Sequence, residues 1–460
     1  MSVTLFWHRR DLRTRDDVGL HAATNDGPTV PVYVYDPDVI EQLGARQRAF
    51  LMRGVRALKE RYRDLGSDLV VRGGSAESVL PDLVDEHDAE AVYCVDHYRP
   101  VRRNQARRAR AALDVDLDSR TDHVLVDPAR LDDSYPTHSQ FHDDWTQVPK
   151  ATPLPEPEAA DLADVTDGKT VPEYDVDIDL PEAGYEAARA RLDDFVETGI
   201  RSYDDTRDDL ALAAERPTEA VSRLSPYLAA GNIGVREAWA VASDAYQAAT
   251  GRERKNAGKY RYELSWREHN YHLLYHNPDL LVENYDDPPN EIEWRNDADE
   301  LAAWRAGETG YPLVDAGMRQ LNREGYVHNR PRQVVASFLT RHLLVDWRVG
   351  AKEFRRKLVD HDPASNTGSW QWIAGTGTDS VDVRIFDPVS QMAKYDEDAT
   401  FVRRYVPELR DVPPGKIVDW PTLSRRERER LAPEYPHPIV DRNDGYDRAQ
   451  RVFETALGKR

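Results

Sequence analysis

The segment Asp360–Trp372 concentrates side chains that could hold a cofactor and stack on a ring. It contains three carboxylate or amide groups and two indoles, namely Asp360, Asp362, Asn366, Trp370 and Trp372. The Asp, Pro, Ser, Asn and Gly residues of its first part favour a turn or the approach to a helix over a strand. Because residues two positions apart point in different directions on a helix, we expect one indole to face the interior and the other a cleft. A buried loop with two core aromatics is the alternative, but the turn Gly375–Asp379 that follows favours a site.

A second concentration of reactive side chains lies on the predicted helix Asn256–His276. Its members follow helical spacing along one face, and they are Glu263, Trp266, Arg267 and Asn270. Such a stripe is often a solvated face with an ordinary ion pair, yet an indole is costly to expose unless something stacks on it. We therefore predict that this face binds a ring. His269, His272 and His276 point to the opposite side and are predicted to be surface or packing residues.

The composition limits the partners that the chain can have. The chain has 460 residues, enough for two or three domains with large cores, and a formal net charge of −21. Abundant aspartate and a preference for Arg over Lys favour a halophilic protein, because concentrated salt screens the mutual repulsion of its charges. An ordinary acidic cytosolic protein is the alternative. Because the net charge is negative, any DNA site must be a local basic patch.

The sequence shows no sign of export or of a structural metal. Cys94 is the only cysteine, so neither a disulfide framework nor a thiolate cluster is available. The apolar run Val3–Trp7 is too short for a signal peptide, and no segment has the apolar length of a membrane helix. We expect a cytoplasmic monomer that uses no membrane and no metal.

Residues 1–130 alternate short β-branched or aromatic runs with helical patterns, which predicts an α/β domain with a parallel, doubly wound, five-stranded sheet. The clearest predicted elements are the strands Val3–His8, Val30–Tyr35, Asp68–Arg72 and Ala91–Val95 and the helix Arg46–Leu65. Ligands of such sheets bind at the carboxyl ends of the strands, which places Arg9–Arg13 and Asp36–Asp38 near a crevice. No G-x-G-x-x-G motif follows the first strand, so a dinucleotide is not indicated.

Residues 131–184 are rich in Pro, Asp and Glu and are predicted to form a long linker between two domains. His138 and His142 have the spacing of two metal ligands on a helix. Because the segment is rich in turns and offers no third ligand, a structural role is favoured for both.

Residues 185–460 show helical periodicity and few strand patterns, which predicts an all-helical domain. Two of its predicted helices are Pro331–Leu344 and Lys352–Asp360. Asn329 is predicted to cap the first of these, and Gly325 to end the helix before it.

Three segments of this domain, Asn366–Trp372, Gly375–Asp379 and Arg384–Pro388, resemble the flavin-binding signature of the photolyase/cryptochrome family. The likeness runs nearly end to end, from Phe6–Arg13 to the last predicted helix. It implies an α/β antenna-chromophore domain, a linker and a helical domain that binds FAD. It also implies light-driven repair of cyclobutane pyrimidine dimers in UV-damaged DNA, by an electron passed from reduced FAD to a flipped-out dimer.

The resemblance implies a set of FAD-binding residues. They are Tyr203, Ser222, Arg223, Leu224, Ser225, Tyr260, Arg267, Asn329, Arg332, Asp360, His361, Asp362 and Asn366. Asn366 corresponds to the residue that faces flavin N5 and tunes the redox state of the flavin. Arg332 corresponds to a cation paired with Asp360 beside the flavin ring. The family usually has Thr where Val221 stands.

The resemblance also assigns the substrate contacts. Glu263, Trp266 and Trp372 correspond to residues that hold the flipped dimer, and with Asn366 they form the predicted catalytic set. The predicted DNA contacts are Arg207, Glu263, Trp266, Asn329, Arg330, Arg384 and Gln391. The electron relay that the resemblance implies runs from the flavin to the surface through Trp370, Trp347 and Trp294. Without the resemblance these three indoles would be interpreted as core aromatics.

Two other functions stay open at this point. A cryptochrome-type flavin photoreceptor would signal without repair, and Gln333 departs from the Met that is common in cyclobutane photolyases. Trp372, however, stands where DASH-type cryptochromes typically have Tyr, and His328-Asn329-Arg330 resembles the cyclobutane class more than the (6–4) class. A flavin oxidoreductase without DNA would leave the paired Trp266 and Trp372 unexplained.

The family also carries a second, light-harvesting chromophore. The cationic stretch Tyr98–Arg103 lacks the Asn-Glu pair of folate binders, and Gly44–Leu51 resembles deazaflavin-type members. We predict 8-hydroxy-5-deazaflavin, with 5,10-methenyltetrahydrofolate as the alternative. Its predicted place is the α/β crevice between Trp7, Asp36 and the helix that contains Gly44–Leu51.

Overall fold

A computed structural model describes residues 2–378 and 383–459, so Asp379 of the predicted turn lies outside the described residues. The N-terminal domain is built on a five-stranded sheet in the order β3-β2-β1-β4-β5. The strands are β1 (Val3–His8), β2 (Thr29–Tyr35), β3 (Val70–Gly73), β4 (Ala89–Val95) and β5 (Asp116–Arg120). All neighbouring strands pair in parallel, which confirms the predicted sheet.

The centre of the sheet is apolar on both faces because helices cover both sides, as parallel sheets require. In β1, Leu5, Phe6 and Trp7 are all buried, and Phe6 lies opposite Pro31 of β2 and Tyr93 of β4. The helices of this domain are α1 (Val18–Asp26), α2 (Pro37–Ile40), α3 (Ala45–Asp64), α4 (Ala76–His87) and α5 (Pro100–Ala112).

The linker contains a helix that the sequence analysis did not predict. α6 (His138–Gln147) begins after Thr137, whose hydroxyl accepts from the Gln140 amide as an N-cap. Phe141 and Trp145 of α6 are buried in an apolar cluster. The Pro-rich composition on either side of α6 concealed this element, because composition averages over a segment and α6 depends on its own cap and its own buried residues.

The helical domain follows from Tyr185 to Ala456 within the described chain. Its helices are α7 (Tyr185–Thr198), α8 (Tyr203–Thr206), α9 (Leu210–Glu215), α10 (Pro217–Ala220), α11 (Ser225–Ala230), α12 (Val235–Ala248), α13 (Gly251–His276), α14 (Ala298–Ala306), α15 (Pro312–Glu324), α16 (Asn329–Ser337), α17 (Trp347–Lys357), α18 (Pro363–Ala374), α19 (Pro388–Tyr395), α20 (Thr400–Tyr405), α21 (Pro414–Val418), α22 (Arg425–Leu431) and α23 (Arg442–Ala456). Short 3₁₀ segments are Pro128–Arg130, Ala159–Asp161, Pro278–Leu281, Pro407–Leu409 and Trp420–Thr422.

The bounds of several predicted helices differ in the structure, most of all for two of them. The prediction Pro331–Leu344 becomes α16 followed by a π-helical turn, Phe338–His342. The prediction Lys352–Asp360 becomes α17, which ends at Lys357 because the next residue, Leu358, is extended. Asp360 therefore lies in the connection to α18, where its carboxylate can turn towards other helices.

The domains meet through buried ion pairs. Arg236 of α12 contacts Asp16 at 2.6 Å and also pairs with Asp122, which pairs in turn with Arg13. All four side chains are nearly inaccessible to solvent, so removing one partner would leave a buried charge unpaired. This network holds the sheet in a fixed position against the helices that carry the candidate site.

No helix of the described ranges combines the length and the apolar character that crossing a bilayer requires.

Candidate active site

α18 carries the densest set of predicted site residues, and local chemistry fixes both of its ends. The Asp362 carboxylate accepts from the Ser365 amide at 2.9 Å as the N-cap, and Pro363 occupies the first turn. Gly375 ends the helix with a φ of 73°, a left-handed conformation that favours glycine. The sequence analysis anticipated a turn or helix approach, and the structure extends it to a full helix through Trp372.

The two indoles of α18 face different environments, as the two-residue spacing predicts. Trp370 is 3% exposed and packs edge-on against Phe354, with ring centroids 5.1 Å apart. A Cβ on Gly350 would lie 2.2 Å from the Trp370 ring, so glycine is needed there for the indole to fit. Trp372 is only partly buried, with the guanidinium of the exposed Arg384 4.2 Å from its ring centroid.

α13 and α18 touch at a point where a glycine lets them approach closely. A Cβ on Gly368 would lie 2.0 Å from Asn270 Oδ1. Trp266 lies one turn before Asn270 on α13, and Trp372 one turn after Gly368 on α18. Each of the two predicted ring-binding indoles therefore lies one helical turn from this contact on its own helix, and each is half-buried.

The Asp362 carboxylate joins α18 to the first loop of the α/β domain. Arg10 Nη2 lies 2.6 Å from Asp362 Oδ2, which also accepts from the Tyr271 hydroxyl. Burial disfavours the charge of this carboxylate, but Arg10 and Arg267 together with the Ser365 amide outweigh it and hold the pKa of Asp362 well below its usual range. Asp362 is therefore a permanent anion.

Asp360 is held by a cation and a hydroxyl. Its Oδ2 accepts from Arg332 Nη2 and from Ser225 Oγ, each at 2.7 Å. Its other oxygen, Oδ1, is buried and has no hydrogen-bond partner within the described protein atoms. A buried acceptor without a partner is a place where a polar ligand can bind. The structure thus brings together the Arg332–Asp360 pair that the resemblance implies.

The segment Ser222–Ser225 turns sharply before α11. Arg223 has a φ of 51°, and its guanidinium carbon lies 3.7 Å from the ring centroid of Tyr326. Its Nη1 pairs with Glu324 at 3.2 Å, while its Nε is buried without a partner within the described atoms. Leu224 is buried at the start of α11.

Tyr203 and Tyr260 belong to a buried aromatic cluster with Phe195. Their ring centroids are 5.3 Å apart, and burial raises the pKa of Tyr260 to about 12. Burial also raises the pKa of Tyr203 well above its usual value, so both phenols stay neutral and can donate hydrogen bonds next to the Ser222 segment.

The remaining predicted cofactor residues lie in different surroundings. Asn366 is half-buried, and its Nδ2 donates to Ala351 O at 3.2 Å, which leaves the amide oxygen directed elsewhere. Arg267 Nη1 donates to His123 O of the α/β domain at 2.8 Å. Asn329 is the first residue of α16 and is exposed. The predicted cap at Asn329 is wrong by one residue, because the His328 ring accepts from the Arg330 amide at the N-cap.

The predicted relay indoles all contact one apolar core. Trp370 and Trp347 are buried in it and Trp294 packs against it, half-buried. Trp347 Nε1 donates to Asn284 Oδ1 at 2.9 Å, which fixes that ring. Trp304, which the sequence analysis did not single out, lies edge-on to Trp370 with ring centroids 6.3 Å apart.

Two of the predicted DNA-binding arginines, Arg207 and Arg330, are engaged with acids of the same chain. Arg207 Nη1 lies 2.7 Å from Glu263 Oε1, and Arg330 Nη2 lies 2.8 Å from Asp208. All four side chains are partly exposed, so these pairs can exchange partners at small cost. Gln391 is half-buried, and its Oε1 has no partner within the described atoms.

Glu268 is a site-proximal group that the sequence analysis missed. Its Oε2 accepts from the amides of Leu125 and Val126 in the segment that follows β5. Burial raises the pKa of Glu268 to about 7, although Arg267 and the two amides oppose that effect. Glu268 directly follows Arg267 in the chain, and its burial against Leu125 and Val126 could not be predicted from the sequence, because it depends on how the two domains pack.

A cavity of about 40 Å³ lies between the two domains. It is lined by Arg10, Leu43, Gln47, Phe50, Leu51, His97, Arg99, Arg102, Ala229, Ala230, Val359, His361 and Pro363. Gln47, Phe50 and Leu51 of the helix expected beside the second chromophore line this cavity, whereas Trp7 is buried in the sheet core. Asp36 instead caps α2 and accepts from Gln105 Nε2 at 2.6 Å. His361 faces this cavity, and burial lowers its pKa to about 3.

One group of metal-type side chains converges in the described ranges, His8 with Asp11 and Asp17. Both ring nitrogens of His8 are already used, Nδ1 by Asp11 and Nε2 by the Tyr62 hydroxyl at 2.7 Å. The Asp17 carboxylate caps α1. This group therefore works as a structural cluster at the start of the sheet.

Models of two protein families match the chain. The DNA photolyase family matches residues 4–158, and the FAD binding domain of DNA photolyase matches residues 260–455. A deoxyribodipyrimidine photo-lyase of Halobacterium salinarum is 43% identical over 99% of this chain and 100% of its own length. A Cryptochrome DASH of Gloeobacter violaceus is 32% identical over 95% of this chain and 93% of its own.

Solved structures share the same architecture. A class III photolyase from Agrobacterium tumefaciens is 33% identical with a TM-score of 0.87, covering 100% of this chain and 98% of its own. An archaeal photolyase from Sulfolobus tokodaii, solved with two FAD molecules, is 29% identical with a TM-score of 0.84, covering 98% of this chain and 100% of its own. The acidic composition agrees with the haloarchaeal origin of the Halobacterium relative.

Proposed function

This chain belongs to the photolyase/cryptochrome family, and we propose that it is a deoxyribodipyrimidine photolyase that repairs cyclobutane pyrimidine dimers in UV-damaged DNA with light. The observation that carries the proposal is that Trp266 and Trp372 are both half-buried and each lies one helical turn from the close contact between α13 and α18. A pair of half-buried indoles with a carboxylate on the same helix face as one of them is suited to a base that has left the DNA stack.

The described residues fit FAD. Asp360 Oδ1 and Arg223 Nε offer a buried acceptor and a buried donor without partners among the described protein atoms, and Ser222 and Ser225 add hydroxyls close to Arg223 in the chain. Reduced FAD in this family supplies, on absorbing blue or near-UV light, the electron that splits the cyclobutane ring and then receives it back. In this proposal Arg332 neutralises Asp360 beside the flavin, and Arg10 does the same for Asp362.

Asn366 is the residue that we assign to flavin N5. Its Nδ2 is bonded to Ala351 O, so the amide orientation is set by the protein and its oxygen can accept from a protonated N5. Asn366→Ser should change the absorption spectrum or the air-reoxidation rate of the bound flavin with the fold intact. An unchanged spectrum and an unchanged rate would remove Asn366 from the flavin site.

The dimer would be held by stacking and by one carboxylate. Trp266 and Trp372 would each contribute about 1–3 kcal/mol per stacked base, while Glu263 accepts from an imide N–H of the dimer. Stacking depends little on ionic strength, whereas phosphate contacts weaken steeply with salt. This division suits a protein adapted to concentrated salt.

Arginines at the rim would bind the DNA backbone. Arg207, Arg330 and Arg384 can each hold a phosphate through two N–H groups, with Asn329 and Gln391 adding polar contacts. In the free protein Arg207 pairs with Glu263, and Arg330 pairs with Asp208. DNA phosphates would replace these carboxylates as partners on binding.

Trp370, Trp347 and Trp294 would pass electrons from outside to the oxidised flavin. Their support is their common apolar core, with Trp370 fully buried and Trp294 reaching the partly exposed edge. A low-polarity path of fixed rings lowers the reorganisation that each transfer requires.

The antenna chromophore that we propose is 8-hydroxy-5-deazaflavin, with 5,10-methenyltetrahydrofolate as the alternative. Its support is the cavity that α3 lines, with Arg10, Arg99 and Arg102 on its polar side. Ligand sites of this class usually enclose several hundred Å³, so the cavity must widen to admit a ring system. Protein from native cells should release deazaflavin, identified by mass. Stoichiometric folate without deazaflavin would overturn this assignment and leave the repair proposal intact.

Repair is tested directly with dimer-containing DNA and chemically reduced protein in concentrated salt. Blue light should restore thymine absorbance, while a dark sample should show no recovery. Glu263→Gln should slow the recovery, and Glu293→Gln, a change to another acid of the same domain, should not. The absence of light-dependent recovery at saturating protein would overturn the photolyase proposal.

A cryptochrome function is the second candidate. Its specific support is Gln333, because cyclobutane photolyases commonly have Met at this position. The Gln333 side-chain oxygen accepts a hydrogen bond of 2.7 Å from Arg330 Nη1 at the rim of the site. The same repair measurement separates the two, because a photoreceptor without repair would reduce its flavin in light and leave the dimers unchanged.

A further inference from the structure

The linker helix α6 places an imidazole flat on one of the two indoles. The rings of His138 and Trp266 are stacked with centroids 3.7 Å apart and an interplanar angle of 9°. His138 is 1% exposed, whereas Trp266 is half-buried. One face of the Trp266 indole is therefore covered by the linker before any substrate arrives.

Hydrogen bonds fix the plane of the imidazole. His138 Nε2 lies 3.0 Å from Ser265 Oγ, and Nδ1 lies 3.1 Å from the Tyr262 hydroxyl. Because the Ser265 hydroxyl donates to Tyr262 O at 2.7 Å, its oxygen accepts from Nε2–H and the Tyr262 hydroxyl donates to Nδ1. The ring is thus a neutral imidazole with both nitrogens engaged. Burial lowers the pKa of His138 to about 3, and His269 and His142 act in the same direction.

The same network reaches the carboxylate next to Trp266. Lys259 Nζ lies 4.1 Å from the Tyr262 ring centroid and 2.9 Å from Glu263 Oε1. Tyr262 therefore contacts both the imidazole behind Trp266 and the lysine that pairs with Glu263. Glu263 and Trp266, the two dimer-contacting residues of α13, are tied together through side chains that do not face the substrate.

We infer that His138 is a positioning residue for dimer recognition, an inference that rests on the proposed function. A half-exposed indole without a neighbour on its inner face would sample several orientations, and stacking on a fixed ring removes that freedom before binding. The imidazole also closes the inner face of Trp266, so a flipped base can contact only the opposite face or the edge. The linker between the domains thus supplies part of the lesion-binding site.

His142 provides a matched control on the same helix. It lies one turn after His138, and its Nδ1 contacts the same Ser265 hydroxyl at 2.9 Å. His142 shares the helix and the hydrogen-bond partner but does not stack on Trp266. Any effect of α6 packing or of the Ser265 contact appears in both variants, whereas the loss of the stack appears in one.

The test compares dissociation constants for one oligonucleotide with and without a single cyclobutane thymine dimer. His138→Ala should raise the dissociation constant for the dimer-containing strand about three- to tenfold, the usual range for one aromatic pair. The dissociation constant for the undamaged strand and the repair yield per absorbed photon at saturating DNA should not change. His142→Ala should bind both strands as the wild type does.

Two further substitutions separate the stack from simple cavity filling. His138→Phe retains a ring and should recover most of the discrimination, whereas His138→Leu fills space without a stack and should resemble His138→Ala. The FAD content and melting temperature identify variants that fail to fold, and the Phe and Leu variants decide the question if Ala does not fold.

The outcomes also separate this inference from the repair proposal. A wild type that binds damaged and undamaged strands equally would contradict the proposed function itself. A wild type that prefers the dimer, with an equal preference in His138→Ala or His138→Leu, would overturn the role of His138 alone. If His138→Phe and His138→Leu lost the preference for the dimer-containing strand equally, the role of His138 would also be overturned, because the aromatic ring would then contribute nothing.

Discussion

The buried start of α18 and the partly exposed rim of the site carry the same kinds of charged groups under different conditions. At the N-cap of α18, Asp362 pairs with Arg10, and the two side chains are 11% and 9% exposed. At the rim, Arg207 and Glu263 are 23% and 27% exposed. Water can replace either partner at the rim but neither partner in the interior. The interior pair therefore fixes a geometry, and the rim pair can exchange a carboxylate for a phosphate.

The two indoles of α18 repeat this contrast with apolar groups. Trp370 packs against Gly350, Phe354 and Trp304 and has no room to move. Trp372 has an exposed guanidinium on its ring and a partly open edge. One helix thus separates a rigid interior, suited to a cofactor and to electron transfer, from an adaptable rim, suited to a polyanion.

The largest expected effect is on the interior pair. Asp362→Ala should lower the free energy of unfolding by about 3–5 kcal/mol, because Arg10 would remain buried without its anion. Urea titration of the holoprotein in concentrated salt measures this. Asp193→Ala, which removes the half-exposed partner of Arg189, should cost less than about 1 kcal/mol.

A double substitution makes this test sharper. Removing Arg10 and Asp362 together should cost less than removing Asp362 alone, because no unpaired charge is left. Equal costs for the single and double changes would contradict the assignment of Asp362 as the counter-ion of Arg10.

The pH dependence of stability should report Glu268. Because its folded pKa is raised to about 7 from a value of 4.5, the folded state binds the proton more tightly than the unfolded state. The contribution of Glu268 to stability is therefore largest below its unfolded pKa, falls as the pH rises towards about 7, and levels off above it, by about 3 kcal/mol in all. Buried histidines with lowered pKa values, such as His123 and His138, contribute in the opposite direction. Urea titrations of the wild type and of Glu268→Gln from about pH 5 to about pH 8 should therefore differ by this slope, and identical pH profiles would contradict a raised pKa at Glu268.

Substituting the two indoles of α18 should affect two different activities, DNA binding for Trp372 and flavin photoreduction for Trp370. Trp372→Ala should weaken binding of dimer-containing DNA by about 1–3 kcal/mol, because one stacked base loses its partner. Trp370→Phe should abolish most photoreduction of oxidised FAD by an external reductant and leave DNA affinity unchanged. Titration of labelled DNA and flavin absorbance under illumination measure the two. Trp370→Phe with normal photoreduction would show that the relay is wrongly assigned.

The smallest expected effect concerns the exchangeable charges of the rim. Arg330→Ala should reduce the slope of log affinity against log salt by about one, because one phosphate contact is lost. Asp208→Asn should instead raise the affinity for DNA at every salt concentration, because it frees Arg330 from the Asp208 carboxylate. Arg425→Ala, at an exposed pair on α22, should leave the slope unchanged. A weaker affinity in Asp208→Asn would contradict the exchange of a carboxylate for a phosphate.

The sequence by itself determined the elements and their chemical character. Alternating strand and helix patterns are local, so the parallel sheet and the helical domain were predicted correctly, as was the opposite facing of Trp370 and Trp372. Asp362 followed by Pro363 indicated the approach to a helix, because a cap depends on residues only a few positions apart.

Only the tertiary structure decided which groups meet across the chain. The pairing of Arg10 with Asp362 joins residues more than three hundred positions apart, as the stacking of His138 on Trp266 joins the linker to α13. No local pattern predicts such contacts, because they depend on how the domains pack. The same reason explains why the burial of Glu268 was missed and why Trp7, expected beside a crevice, lies in the core of the sheet. The identity of each side chain is local information, but its burial and its partner come from the packing of the whole chain.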